Sequence, residues 1–133
     1  MADLPSGPTV LIVDSDFGFS FWLAEIFSEL GCHPLPALDC QKAVSLATGL
    51  DLKVDVMVVN PAMPGISKMM QSLRRLYPSV KVVAVVGAKV DAVRNIEAAA
   101  MLKRPAGLIP ISRQEWVRRI RQVLRDLEIV RNA

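Results

Sequence analysis

The stretch VDVMVVNPAMPG, from Val54 to Gly65, decides the fold class of this 133-residue chain. Its first half is an almost continuous apolar run, which is typical of a strand buried on both faces of a parallel sheet. The run ends at Asn60, and two prolines and a glycine then predict a sharp turn. A carboxamide therefore stands at the carboxyl end of a buried strand, where sites form in such sheets.

Comparable runs recur along the chain, each followed by apolar residues at helical spacing. The predicted strands are TVLIVDSD at 9–16, HPLPAL at 33–38, VDVMVVN at 54–60, KVVAVVGA at 81–88 and AGLIPI at 106–111. The fourth predicted helix begins at Asp91 and includes Ala100 and Leu102. The alternation predicts an α/β fold with a doubly wound five-stranded parallel sheet and helices on both faces. We expect a single domain over residues 1–133, with a flexible tail at 1–8.

Two prolines place the second strand at an edge of the sheet. Pro34 and Pro36 remove N–H donors from the same side of the strand, whereas His33, Leu35 and Ala37 keep theirs for the other side. An edge strand of this kind is protected against further pairing.

The ends of these strands supply the candidate site residues, because sites in open parallel sheets lie beyond the carboxyl ends of the strands. The residues to weigh there are Asp14, Ser15, Asp16, Asn60, Val86, Gly87 and Ile109. Asp16 has a structural alternative, since acids at this place are ordinary helix N-terminal residues.

Composition narrows the class of protein further. Just over half of the residues are hydrophobic and 22% are charged, which indicates a globular domain rather than a disordered chain. The sequence shows neither a signal peptide nor an apolar run of the roughly 18 residues that a membrane helix needs, so we expect a cytoplasmic protein without a membrane partner. Cys32 and Cys40 flank a short extended strand, too far apart for a disulfide.

Charge is unevenly distributed along the chain. Residues 1–60 contain eight acids and two bases, a net charge of −6, whereas the remainder contains 14 bases and five acids, a net charge of +9. Arginine clusters bind phosphates or acidic proteins, although a solvated helix face is the simpler interpretation.

Three motifs give the chain a family resemblance. VLIVDSD, VDVMVVNPAMPG and IPISRQEW resemble, in order and spacing, the acidic first-strand ending, the acceptor segment and the entry to the last helix of response-regulator receiver domains. The resemblance covers about Thr9 to Leu127. It implies a flavodoxin-like fold with strand order 2-1-3-4-5, in which the second strand is again at an edge.

The resemblance also implies a phosphoryl-accepting aspartate, with Mg²⁺, a lysine and a hydroxyl that neutralise or bind its oxygens. The matching positions depart from this pattern. Asn60 replaces the acceptor, and a carboxamide is not a comparable nucleophile. Ser15 replaces the second member of the acidic pair that begins with Asp14, Val86 replaces the hydroxyl to within one residue, and Ile109 replaces the lysine. We therefore expect no enzymatic activity, no cofactor and weak or absent Mg²⁺ binding.

The predicted function is that of an atypical receiver in phosphorelay signal transduction, acting by protein contact without phosphorylation. In the family, the fourth helix, fifth strand and fifth helix form the partner and dimer surface. Here that region contains basic residues suited to an acidic signalling protein, and a homodimer through the fourth and fifth helices is an option. These basic residues are Lys103, Arg104, Arg113, Arg118, Arg119, Arg121 and Arg125.

Three alternatives remain open. The first is a receiver that is phosphorylated on Asp14 or Asp16. The second is a nucleic-acid-binding module that uses the arginine-rich last helix, although aromatic residues are not interleaved there and half of the chain is acidic. The third is a flavin or nucleotide site, which the lack of a glycine-rich phosphate loop disfavours.

Overall fold

The computed structural model describes residues 7–49, 53–87, 97–104 and 112–129. The strands are β1 (Thr9–Val13), β2 (His33–Ala37), β3 (Val56–Val59), β4 (Lys81–Val86) and β5 (Ala100–Lys103). The helices are α1 (Phe17–Glu29), α2 (Cys40–Gly49), α3 (Ile66–Leu76) and α4 (Arg113–Asp126). Within the described residues, the strands form one parallel sheet in the order β2-β1-β3-β4-β5. This confirms the predicted fold class and strand order.

Alternate residues of the central strands enter two separate cores, one on each face of the sheet. On one face, Leu11 and Met57 pack with residues of α2 and α3, such as Leu73. On the other, Ile12 and Val58 pack with residues of α1 and α4. Burial on both faces explains why β1 and β3 are apolar without interruption.

The edge position of β2 is confirmed, since β2 pairs with β1 alone among the described strands. Pro34 and Pro36 lie opposite Val10 and Ile12 in the register. The pairing extends beyond the strand ends, because the His33 N–H donates to the Pro8 carbonyl at 2.7 Å. The predicted flexible tail otherwise falls on residues 1–6, outside the described residues.

The fifth strand was placed wrongly from the sequence. Ala100 and Leu102, which we assigned to a helix starting at Asp91, lie in β5 and pair with Val83 and Val85 of β4. The start of that helix, at residues 91–96, and the predicted strand at 106–111 lie outside the described residues. Alanine favours helices, but hydrogen bonding to β4 outweighs this local preference.

The remaining general expectations concern thiols and membranes. Cys32 and Cys40 are buried free thiols, as their spacing predicts. Burial, with a smaller contribution from Asp55, raises the pKa of Cys32 to about 11. None of the helices in the described part of the chain has the length and apolarity that crossing a membrane requires.

Candidate functional site

The carboxyl ends of β1, β3 and β4 bring three of the sequence-predicted site residues to one edge of the sheet. Val13 is paired with Val59, so Asp14 and Asn60 follow neighbouring strands at the same level. Neighbouring strands lie about 5 Å apart. Val86 ends β4 on the other side of Asn60 and is buried.

Asn60 uses both its backbone and its carboxamide to hold the turn after β3. Its N–H donates to the Val13 carbonyl at 3.0 Å, and its Oδ1 accepts from the Ala62 N–H at 3.0 Å. Its carbonyl accepts from the Met63 N–H at 3.2 Å. The Asn60 side chain therefore helps to hold the loop that leads into α3.

Asp14 and Asp16 are fixed by the start of α1. Asp14 is only 3% exposed, and its Oδ1 accepts from the Asp16 N–H at 2.9 Å. Asp16 is the N-cap of α1, where its Oδ1 accepts from the Phe19 N–H at 3.0 Å. The structural alternative for Asp16 is thus present in the fold. Ser15, between them, is exposed.

Arg104 contributes a cation to this site, although the sequence placed it on the basic surface. It follows β5 directly, and its backbone N–H donates to the Val86 carbonyl at 2.7 Å. Its guanidinium donates to Asp14 Oδ2 and lies 3.4 Å from Asp16 Oδ2. The guanidinium carbon is 4.3 Å from the centre of the Phe19 ring, within the range of a cation–π interaction.

This contact places a cation at the strand ends, where the resemblance matches the lysine position to Ile109. In the described residues, Arg104 is the residue that follows β5, so Ile109 stays a prediction. Ile109 itself lies outside the described residues. The signal was available in the sequence as KRP at 103–105, a basic pair before a proline, but it was hidden by the helical interpretation of the alanines before it.

An aromatic cluster supports the arginine from the side of α1. Phe19 packs edge-on against Trp116 of α4 at 5.9 Å between ring centres and stacks with Trp22 at 6.1 Å. Trp22 and Trp116 are 5.3 Å apart. These aromatics therefore contribute to packing, and they connect the site to the last helix.

Several residues of the predicted basic surface have partners within the chain. Arg104 is turned into the acidic site. Arg113 reaches α1, with its Nη2 at 2.5 Å from Glu29 Oε2, and Arg119 pairs with Glu115 one turn earlier in α4. The remaining members of the predicted surface are Lys103, Arg118, Arg121 and Arg125, of which Arg125 also interacts within the chain.

A separate apolar concavity of about 660 Å³ lies between α1 and α2. The exposed rings of Phe17 and Phe21, 4.5 Å apart, form one wall, and Leu38 and Leu46 are also part of the lining. Neither phenylalanine is among the site residues predicted from the sequence. The lining also includes the polar side chains of Lys42 and Ser45.

The residues at the strand ends do not fit the Mg²⁺ that the resemblance implies. Mg²⁺ needs several oxygen ligands in octahedral geometry, but each carboxylate oxygen of Asp14 and Asp16 already accepts from a backbone N–H or contacts the guanidinium of Arg104. Across the described ranges, no group of three or more His, Cys, Asp and Glu residues is arranged to hold a metal ion.

Known structures confirm the fold. The chain is similar to the signal receiver domain of an HD domain-containing protein from Pseudomonas fluorescens Pf-5, with a TM-score of 0.70 over 92% of this chain and 98% of that one, at 21% identity. It is also similar to a CheY-like response regulator receiver domain protein from Methanospirillum hungatei JF-1, with a TM-score of 0.69, the same coverages and 19% identity.

A third similar structure is a response regulator receiver domain protein from Clostridium thermocellum, with a TM-score of 0.66 over 91% of this chain and 97% of that one, at 15% identity. No protein-family profile matches the sequence, and no curated protein matches it. The chain therefore has the flavodoxin-like fold of receiver domains, at sequence identities that establish the fold alone.

Proposed function

We propose that this chain is a receiver-like signalling module that binds a protein partner without being phosphorylated. The observation that carries the proposal is Asn60, a neutral carboxamide at the end of β3 whose Oδ1 accepts from the Ala62 N–H. Phosphoryl acceptance requires a carboxylate there, and an amide oxygen held in a turn does not replace it. In this proposal the module catalyses no reaction and uses no cofactor.

Neither of the nearby acids is a suitable substitute for the missing nucleophile. Asp14 is almost completely buried and contacts Arg104, and Asp16 caps α1. A carboxylate that attacks phosphorus needs an accessible oxygen, and a hydrogen bond to a guanidinium reduces its nucleophilicity. The buried side chain of Val86 also provides no hydroxyl to bind a transferred group.

A phosphodonor experiment tests this part of the proposal. The protein is incubated with acetyl phosphate and Mg²⁺, and its intact mass is measured without acid treatment. A receiver domain with an aspartate acceptor, treated in parallel, is the positive control. We expect the mass of this chain to stay unchanged, whereas a labile gain of one phosphoryl group, on Asp14, Asp16 or any other residue, would contradict the proposal.

The outer face of α4 is the surface that we propose for the partner. Arg118, Arg121 and Arg125 recur every three to four residues, so they share one side of the helix over about 10 Å. These three residues form the arginine stripe of α4. Trp116, Ile120 and Leu124 occupy the opposite side and are buried in the core. A row of arginines on a rigid helix suits carboxylate groups of an acidic protein surface.

The positive charge of the stripe favours a different protein, rather than a second copy of this chain, as the partner that binds it. A two-fold symmetric dimer places the same patch of both subunits together. Through the α4 stripe, such a dimer would bring arginines of like charge into contact, which is unfavourable. The homodimer expected through the fourth and fifth predicted helices is therefore the less favoured arrangement for this surface.

A charge-reversal experiment tests the proposed surface. The double variant Arg118→Glu/Arg121→Glu changes α4, and Lys68→Glu/Arg75→Glu applies the same change in net charge to α3, on the opposite face of the sheet. The partner is identified by affinity capture with the wild-type protein and then purified. We expect the α4 variant to bind it at least about tenfold more weakly, a loss of about 1.4 kcal/mol.

The control variant should bind as the wild type does, and wild-type affinity should fall as salt is added. Equal weakening by both double variants would mean that only net charge matters, and it would contradict the placement on α4. A purified partner that requires acetyl phosphate for binding would contradict the phosphorylation-independent mode. Specific binding of duplex DNA through Arg118 and Arg121 would replace the acidic protein with the nucleic-acid alternative.

A further inference from the structure

The carboxylates of Asp14 and Asp16, at the strand ends, already have a donor within the chain for every oxygen. Asp14 receives the Asp16 N–H on Oδ1 and the Arg104 guanidinium on Oδ2. Asp16 receives the Phe19 N–H on Oδ1, with Arg104 Nη1 next to its Oδ2. Within this pair of carboxylates, all four oxygens have a donor that belongs to the chain itself.

Arg104 is held in this position from several directions. Its backbone is bound to the end of β4 through Val86, and its guanidinium rests on the Phe19 ring while contacting two carboxylates. The side chain is 25% exposed, against 4% for that of Asp14. Because β4 and β3 separate β5 from β1, the arginine extends back over the ends of both strands.

We propose that Arg104 is the resident cation of this site and excludes divalent metal ions from it. A metal ion that approached Asp14 and Asp16 would have to displace the guanidinium from both carboxylates and from Phe19. If the guanidinium stayed, the ion would instead meet a like charge a few ångströms away. The buried carboxylate of Asp14 needs a counter-charge, and the chain provides it permanently.

The inference goes beyond the proposed function and does not depend on the α4 surface. A phosphoryl-accepting site must admit and release a metal ion, whereas in a site closed by Arg104 the positive charge beside the carboxylates is permanent. Failure of the partner-binding test would leave the role of Arg104 untouched. Failure of the metal test below would leave the arginine stripe of α4 untouched.

The test compares the melting temperature with and without millimolar MgCl₂, at constant ionic strength, in the wild type, Arg104→Gln and Arg75→Gln. Arg75 is an exposed arginine of α3, so its variant is the control for loss of one charge. We expect no response to Mg²⁺ in the wild type or in Arg75→Gln. Arg104→Gln should melt at a lower temperature, and Mg²⁺ should recover a substantial part of that loss.

Two further variants and one spectroscopic signal test whether the Mg²⁺ response arises at Asp14 and Arg104. Adding Asp14→Asn to Arg104→Gln should abolish the Mg²⁺ response, because it removes the buried ligand. Arg104→Lys, which keeps the charge and tests the site should the glutamine variant not fold, should respond less than Arg104→Gln. Tryptophan emission should change in Arg104→Gln but not in Arg75→Gln, since Trp22 and Trp116 both pack against the Phe19 ring on which the guanidinium lies.

Either of two results would overturn the inference. One is a rise in the melting temperature of the wild type with Mg²⁺, which would show that the metal enters despite Arg104. The other is an Arg104→Gln variant that melts like the wild type, or that is destabilised but gains nothing from Mg²⁺. In those cases Arg104 is not the group that keeps divalent metal ions out of the site.

Discussion

Asn60 and Gly65 shape the loop between β3 and α3 by different means. Asn60 accepts the Ala62 N–H on its side chain, while Gly65 adopts a positive φ of 78° immediately before α3. The left-handed conformation costs an L-residue with a side chain about 1–2 kcal/mol. The glycine is therefore needed for its backbone, since a Cβ added there would meet only an ordinary contact with Cys40 at 3.9 Å.

Gly65→Ala should lower the free energy of unfolding by about 1 kcal/mol, because alanine is strained at this φ. The matched control is Gly18→Ala in the first turn of α1, where the added Cβ meets nothing closer than Asp16 Oδ1 at 3.7 Å. We expect that control to be neutral or slightly stabilising. Equilibrium urea unfolding measures both, and equal effects at the two glycines would contradict the conformational explanation.

The residues at the site differ in how far the sequence revealed them. The engagement of Asn60 in hydrogen bonds follows from local signals, since the amide and the turn lie within a few residues. The contact between Arg104 and Asp14 does not follow from local signals, because the two residues are 90 positions apart along the chain. A contact of that kind becomes visible only when the strand order is known.

Among the helices, α4 shows how a local sequence signal is carried through to the structure. Ser112 and Glu115 have the S-x-x-E spacing that is typical of a capped helix start, and Ser112 Oγ accepts the Glu115 N–H at 3.3 Å. The Glu115 carboxylate pairs instead with Arg119, one turn further on. The cap therefore works through the serine, and the glutamate supports the next turn.

Ser112→Ala should destabilise the protein by about 1 kcal/mol, the usual cost of losing an N-cap hydrogen bond. Ser45→Ala, in the exposed interior of α2, removes a hydroxyl without removing a cap and is the control. Thermal unfolding followed by circular dichroism at several urea concentrations gives both differences. A Ser112→Ala variant as stable as the control would show that the cap contributes nothing.

The sequence predicted the position of β2 correctly but not that of β5. Pro34 and Pro36 predict an edge strand because a missing donor is a covalent property, and β2 is at the edge. The segment before Arg104 has alternating burial, as an edge strand does, but its alanines favour a helix. Pairing with β4 decides the matter, and that pairing is not encoded in local propensity.

For the molecule as a whole, the fold joins the acidic first part of the chain to the basic second part through ion pairs at α1 and at the strand that precedes it. Arg104 joins β5 to the start of α1, and Arg113 of α4 reaches Glu29 near the end of α1. Part of the opposite charge seen in the sequence is thereby used inside the molecule. Arg104 and Arg113 are therefore not part of the partner surface that we propose, which is smaller than the basic region in the sequence.

The sequence by itself determined the parallel α/β sheet, the edge position of β2 and the neutral side chain at the end of β3. These follow from apolar runs, from proline chemistry and from the identity of one residue, all of which are local. Only the tertiary structure decided where β5 lies and that Arg104 neutralises Asp14. Both depend on pairing between segments far apart in the chain, where inter-strand hydrogen bonds and charge complementarity outweigh local preference.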